Sequence, residues 1–278
     1  MKVNSKKYFV NKLIVTIFAF IILALFIFPI YWLITMSLKT NVDIFNFPPN
    51  LIFTPILDAY HSVFGRADFV GAFFSSIIVS FATTAICLIV GLMAAYSVVT
   101  FNFRGKRFLQ IMIMLLRIAP SISMLIPLFM IFSTMGLVNT HFSVIMCLVA
   151  FLLSFTVWLL LGYLREVPKD LIYSALIDGS GYTSILIRIV IPLSAPGIAA
   201  VGILVFAAAW NEFIISSVMV NTASRTLPVL IRGFLGEQTI VWNELAAVGV
   251  IISIPALIVT VIAQKYIVGG LTLGAVKG

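Results

Sequence analysis

Charged side chains are what this sequence has least of: Asp, Glu, Lys and Arg make up 9% of its 278 residues, where soluble domains carry about a quarter. With so few groups to hydrate, the chain cannot cover itself in water-facing surface, and its mean hydropathy of +1.21 agrees. A soluble globular protein is excluded. In lipid the backbone must satisfy its own hydrogen bonds, which leaves helices or closed barrels. The apolar runs reach about 20 residues or more without alternating polar and apolar positions, so they are helical rather than barrel strands. The expected class is an all-α integral membrane protein.

Other shortages narrow the chemistry. Cysteine occurs twice, at Cys87 and Cys147, far apart and inside apolar runs, where free cysteine acts as a small packing residue. His61 and His141 have no Cys, Asp or Glu at a metal-ligand spacing, so no metal site is expected. The net charge of +8 comes without a basic stripe interleaved with aromatics, which argues against nucleic acid as a partner. A phosphate loop requires Gly, four residues, then Gly-Lys-Ser/Thr. The Gly105-Lys106 pair has Thr100 in place of the first glycine and Arg107 in place of the hydroxyl. The chain cannot bind ATP in that way, and it is not expected to be an enzyme.

What is present is a series of six runs of membrane length, at about 11–38, 70–99, 108–134, 141–163, 196–220 and 245–268. The first follows a lysine-rich start but exceeds a signal-peptide core and has no small-residue cleavage site, so it is read as a retained helix. An internal N-terminus puts twelve basic residues on the cytoplasmic side (2, 6, 7, 12, 104, 106, 107, 165, 169, 188, 265 and 277) against Lys39, Arg66, Arg225 and Arg232 outside. Positive-inside bias therefore predicts cytoplasmic N- and C-termini, with residues 165–195 facing the same compartment. Ala72, Ser76, Ser80 and Thr84 form a small-residue ribbon on the second run. It serves either packing within the chain or approach by a second subunit.

Residues 165–195 interrupt the apolar pattern with turn chemistry. Leu171, Ile172, Ala175 and Leu176 make one face of a short helix after Pro168, and Asp178-Gly179 and Ser180-Gly181 then supply a bend. A segment from Ile185 to Ile191 follows, cut by Pro192 and Pro196 before the fifth run. Such a knob either docks in a groove of another protein or merely connects two spans. Inside the spans, Arg117 lies about 14 Å deep, near the midplane. Like Trp210, Asn211 and Glu212, it either lines a path or serves packing, and as a lone guanidinium in hydrocarbon it is expected to pair with Glu212, about 10 Å nearer the outside, or with an acid of a partner subunit.

Ala175, Asp178-Gly179, Pro192-Leu193 and Pro196 resemble the cytoplasmic signature loop of the membrane subunits of bacterial ATP-binding-cassette (ABC) importers. Leu57-Asp58-Ala59-Tyr60, Leu116-Arg117-Ile118-Ala119-Pro120, Ile126-Pro127-Leu128, Gly136-Leu137-Val138-Asn139-Thr140, Trp210-Asn211-Glu212-Phe213, Thr226-Leu227-Pro228, Gln264-Lys265-Tyr266 and the terminal Gly274-Ala275-Val276-Lys277-Gly278 are similar to the carbohydrate permease branch that includes the smaller membrane subunit of maltose transporters. One departure stands out: Tyr173-Ser174-Ala175 occupies the place of the usual Glu-Ala-Ala, which removes the acid that pairs with the ATPase in relatives.

The resemblance implies a six-helix type I importer permease in the bacterial inner membrane, carrying a di- or oligosaccharide. It implies a second, homologous permease, two ATP-binding subunits that use ATP and Mg, an extracytoplasmic sugar-binding protein and surrounding lipid as partners. It makes Tyr173, Ser174, Ala175, Asp178, Gly179, Gly181 and Pro192 the ATPase-coupling residues and Lys277 a tail contact. Two rivals are weighed against it. An ion-driven secondary transporter or channel calls for repeated halves with matching midplane charges, and a membrane anchor of an enzyme complex calls for cofactor ligands; neither signature is found.

Overall fold

Among the described residues of the computed structural model, five helices are long and apolar enough to cross a membrane. The structure describes residues 5–118, 121–220, 224–234 and 240–273. The chain divides into two units, residues 1–66 with 231–253, and residues 67–230 with 254–278.

The larger unit is built around α4 (Phe69–Thr100), α7 (His141–Leu164) and α10 (Ile191–Trp210), which pack on one another. Their burial follows helical periodicity. On α4, Ala72, Ser76, Val79, Thr83, Cys87, Gly91 and Ala95 turn inward at steps of three and four, as Ser194, Gly197, Val201 and Val205 do on α10. The remaining faces expose Phe74, Phe81, Ile89, Leu193 and Leu204, as a lipid-facing surface requires. Close approach needs small residues. A Cβ on Gly91 would lie 2.9 Å from Thr156, and one on Gly197 would lie 2.3 Å from the Tyr163 ring. Ala72, Ser76 and Ser80 are buried within this chain, and Ser76 Oγ accepts the Leu227 N–H at 2.7 Å. That part of the small-residue ribbon therefore packs internally.

Two shorter helices, α5 (Lys106–Ile118) and α6 (Ser121–Thr134), each rest on α7. Together they have the length and hydropathy of a sixth span, with axes 96° apart. A straight run over 108–134 was the expectation. The sequence interrupts it at Ala119-Pro120, outside the described residues, and proline both lacks the N–H a helix needs and biases its predecessor away from helical angles. After α6, Gly136 at φ +68° ends the helix, Asn139 takes φ +67°, and Thr140 Oγ1 caps α7 by accepting the Ser143 N–H at 3.2 Å. The Gly-Leu-Val-Asn-Thr stretch is thus a helix stop and a helix start.

In the smaller unit, α1 (Ser5–Ser37) leads to α2 (Asn41–Ile44) and α3 (Asp58–Gly65). Between them Lys39 is 6% exposed, with Nζ donating to the Asn50 carbonyl at 2.7 Å and lying 4.5 Å from the Phe53 ring centre. The motif at 57–60 is structural. Ala59 is buried, and the Tyr60 hydroxyl hydrogen-bonds Ser37 at 2.8 Å. Arg66 donates to Glu244 at 2.7 Å, and the same carboxylate accepts from Ser62 Oγ at 2.6 Å.

Candidate functional site

Residues 169–210 assemble the candidate site from α8 (Lys169–Ile177), α9 (Tyr182–Ile185), a π turn (Leu186–Val190) and α10. The inner face of α8 is fixed by burial. Ile172 and Ala175 enter the same apolar cluster as Leu160, Leu164, Ile185 and Val190. Its outer face carries Leu171, Tyr173, Ser174 and Ile177, the last 87% exposed. The four apolar positions expected to form one docking face are therefore divided: Ile172 and Ala175 are buried in the chain's own core, and Leu171 points out.

α8 stops at a defined place. Gly179 sits at φ +82°, the Ser180 N–H donates to the Ala175 carbonyl at 2.9 Å, and the Gly179 N–H donates to the Leu176 carbonyl at 3.1 Å. These two bonds are a Schellman motif, which satisfies carbonyls the last turn would otherwise leave open. A Cβ at 179 would meet nothing within 4 Å, so glycine is required here by backbone angle alone. Gly181 differs. It precedes α9 at φ −74°, ψ 155°, angles open to any residue, so the expected second turn glycine is not needed for the bend. Asp178 is exposed at the C-terminal end of α8, where the helix dipole disfavours an acid.

The segment after the bend is helical throughout. An interruption was expected between 185 and 196, with a span beginning at 196. The structure instead runs Tyr182–Trp210 as one membrane-length helical stretch. Pro192 has no N–H to return to a carbonyl, and the chain passes it by widening one turn, with the Ile191 N–H bonded to the Leu186 carbonyl. The stretch ends at Trp210, after which Asn211–Phe213 lead into α11 (Ile214–Met219), so the expected helix to 220 is broken in two.

Two anchors of the loop lay outside the sequence reading. Tyr96, near the end of α4, donates its hydroxyl to the Tyr182 carbonyl at 3.0 Å, and the Phe101 and Tyr182 rings meet at 4.7 Å. Their signal was an aromatic pair near a span terminus, where rings with a polar tip collect.

The residues expected along a path separate. Arg117 lies over the rings of Trp158 (4.2 Å) and Phe155 (5.2 Å) on α7. Its expected pairing with Glu212 is not formed: the Glu212 carboxylate caps α11, accepting the Ile215 and Ser216 N–H groups at 2.8 and 3.0 Å. Four orphan amides at a helix start attract an acid more directly than a distant guanidinium does. Trp210 is 2% exposed, stacked on Phe206 at 5.8 Å and edge-on to Phe73 at 6.3 Å, so its ring faces serve packing. Asn211 is exposed and donates to the Ala207 carbonyl at 2.8 Å. Lys277 and the terminal motif lie outside the described residues.

Comparison with known proteins gives a consistent result. Residues 87–272 match the family model described as binding-protein-dependent transport system inner membrane component. The chain is 35% identical over 256 residues to the trehalose transport system permease protein SugB of Mycobacterium tuberculosis, covering 90% of this chain and 92% of that protein. It is 34% identical over 274 residues to the trehalose/maltose transport system permease protein MalG of Thermococcus litoralis, covering 96% and 98%. Its fold superposes with TM-score 0.76 and 21% identity on a chain of a bacterial ABC transporter that imports alginate, covering 96% of this chain and 99% of that one.

Proposed function

This chain belongs to the inner-membrane components of binding-protein-dependent transport systems, and from that premise we propose how its cytoplasmic loop transmits work and what it carries. It is a multi-pass inner-membrane permease of an ABC importer, not the ATPase subunit. The cargo is a di- or oligosaccharide, a reading supported by the trehalose and maltose permeases to which it is similar along nearly its full length. The partners are a second permease, two ATP-hydrolysing subunits that use ATP and Mg, and an extracytoplasmic binding protein that delivers the sugar. Both termini and the 165–195 segment face the cytoplasm, a reading supported by the basic bias of that side.

Within this assembly α8 is the coupling helix. One observation carries the reading: α8 has an inward face tied into the core of α4, α7 and α10, an outward face of Leu171, Tyr173, Ser174 and Ile177, and a glycine stop followed by unbroken helix into the membrane. A force on the outward face reaches α10 through rigid structure. Tyr173, in place of the usual acid, offers the ATPase a ring and a hydroxyl rather than a charge, which leaves exposed Asp170 and Asp178 as the acids at the two ends of α8. Arg117 and Asn211 remain as path residues, while Trp210 and Glu212 support the wall behind them.

The test is reconstitution of the chain with its partner subunits and sugar-loaded binding protein. Sugar-stimulated ATP hydrolysis by the complex, none by the isolated chain, and cross-linking of Ser174→Cys but not Ser76→Cys to the ATPase are the expected outcomes. Stoichiometric ATP binding by the single chain, or no cross-link from position 174 in any nucleotide state, refutes the assignment.

A further inference from the structure

Three cations converge on a cavity of about 440 Å³ at the root of α8. Lys106 at the start of α5, Arg165 at the end of α7 and Lys169 at the start of α8 line it together with Gln110, Thr100 and the outward-facing Tyr173. Among the described residues no acidic side chain lines the cavity. Among the described residues, none of the three cations forms an ion pair, and the two pairs present, Arg66–Glu244 and Arg225–Asp68, involve none of them. Lys106 Nζ donates to the Phe101 carbonyl at 3.0 Å and to Asn102 Oδ1 at 3.4 Å, which holds the ammonium at the end of α4. The Thr100 hydroxyl is buried beside the Tyr96 phenol.

Uncompensated like charges around one cavity repel one another, by an amount that falls when an anion sits between them. Lysine and arginine with hydroxyl and amide donors are the groups that hold phosphate oxygens. The cavity is walled by the ends of α4 and α7 and the starts of α5 and α8, and at the ends of membrane-length helices basic residues meet lipid head groups. We propose that this cavity binds a phosphate-bearing anion, either the head group of an anionic phospholipid or a soluble phosphate ester. Because Tyr173 and Leu176 of α8 form part of its wall, occupancy braces α8 against α5 and α7. That consequence rests on the coupling reading; the binding does not.

The experiment measures binding without transport. The full chain, purified in its complex and placed in phosphatidylcholine nanodiscs, is titrated in one arm with short-chain phosphatidylglycerol and in the other with inorganic phosphate and glucose 6-phosphate. Thermal stability is the readout, with native mass spectrometry for stoichiometry. A saturable stabilisation with one anion per chain is expected in at least one arm, and the arm that responds identifies the source. The double variant Arg165→Gln with Lys169→Gln should weaken that binding by about tenfold or more, the loss expected for charge-assisted contacts. Arg107→Gln, which removes an exposed charge outside the cavity, should leave it unchanged. No saturable response in either arm overturns the proposal, as does an equal loss in the Arg107→Gln control. Lost anion binding in the double variant with sugar-stimulated ATP hydrolysis unchanged would refute the bracing of α8 and leave this site standing.

Discussion

Replacing Gly179 isolates the stop of α8 from everything around it. The residue sits at φ +82° and a Cβ there meets nothing within 4 Å, so no steric clash enters and the whole cost is backbone conformation. Asparagine tolerates that region, alanine resists it by about 1 kcal/mol, and β-branched valine resists it by up to about 3 kcal/mol. The expected order of damage is Asn, then Ala, then Val. The inward face of α8 stays packed through Ile172 and Ala175, so the chain should insert and assemble normally. The strain should appear locally, as opening of the bonds from Ser180 N–H to Ala175 and from Gly179 N–H to Leu176. An opening free energy reduced by 1 to 3 kcal/mol corresponds to about 5- to 150-fold faster amide exchange at those two positions. Hydrogen exchange on the complex reads this directly, and sugar-dependent stimulation of ATP hydrolysis should fall in the same order. Damage from Gly179→Asn equal to that from Gly179→Val would refute the reasoning, since it would mean that a side chain at 179, rather than a backbone angle, is what the partner cannot accept.

Gly197→Ala should destabilise the chain by about 1 to 3 kcal/mol, because the new methyl would clash with the root of the Tyr163 side chain; recovery of folded yield by adding Tyr163→Ala checks the cause. Arg117→Leu should reduce transport more than assembly, losing the contact with Trp158 at about 0.5 to 2 kcal/mol, and wild-type uptake would return Arg117 to packing. Cysteine at exposed Asn46 should react with an impermeant reagent in intact cells while cysteine at exposed Arg104 should not. The reverse pattern inverts the proposed orientation.

The fold class was legible in the sequence because scarcity of charge is a whole-chain property and needs no geometry. The motifs were legible as positions, and several owe their pattern to local structure: Gly136 and Thr140 stop and start helices, and Thr226-Leu227 docks on Ser76 through one backbone N–H. What could not be read was which partner each polar group finds. Glu212 and Arg117 looked like a pair because both are costly in lipid, yet a carboxylate three and four residues before free helix amides has a nearer partner. Periodicity placed Leu171 with Ile172 on one face, and only the direction of α7 and α10 decides which of them is inward. The two prolines at 192 and 196 were read as breaks, since a π turn leaves no composition signature.

That π turn offers a test in which stability and function move in opposite directions. Pro192 lies just beyond it, exposed, and the wide turn through Leu186–Val190 lets the chain pass a residue without an N–H. Pro192→Ala restores a donor, removes the ring, and lets the segment tighten toward ordinary α-helical hydrogen bonding. The variant should gain about 1 kcal/mol, the usual net value of one helix hydrogen bond. Tightening also rotates α9 relative to α10, and α9 begins at Tyr182, whose carbonyl is held by Tyr96. The helix cannot tighten and keep that bond and the burial of Ile185 in their present places. If the wide turn sets the angle between α8 and α10, Pro192→Ala should melt higher yet import sugar more slowly per ATP hydrolysed. Thermal unfolding of the complex together with uptake and hydrolysis in proteoliposomes measures both. Unchanged coupling in a variant that is measurably more stable would show that the turn is only the chain's way around a proline.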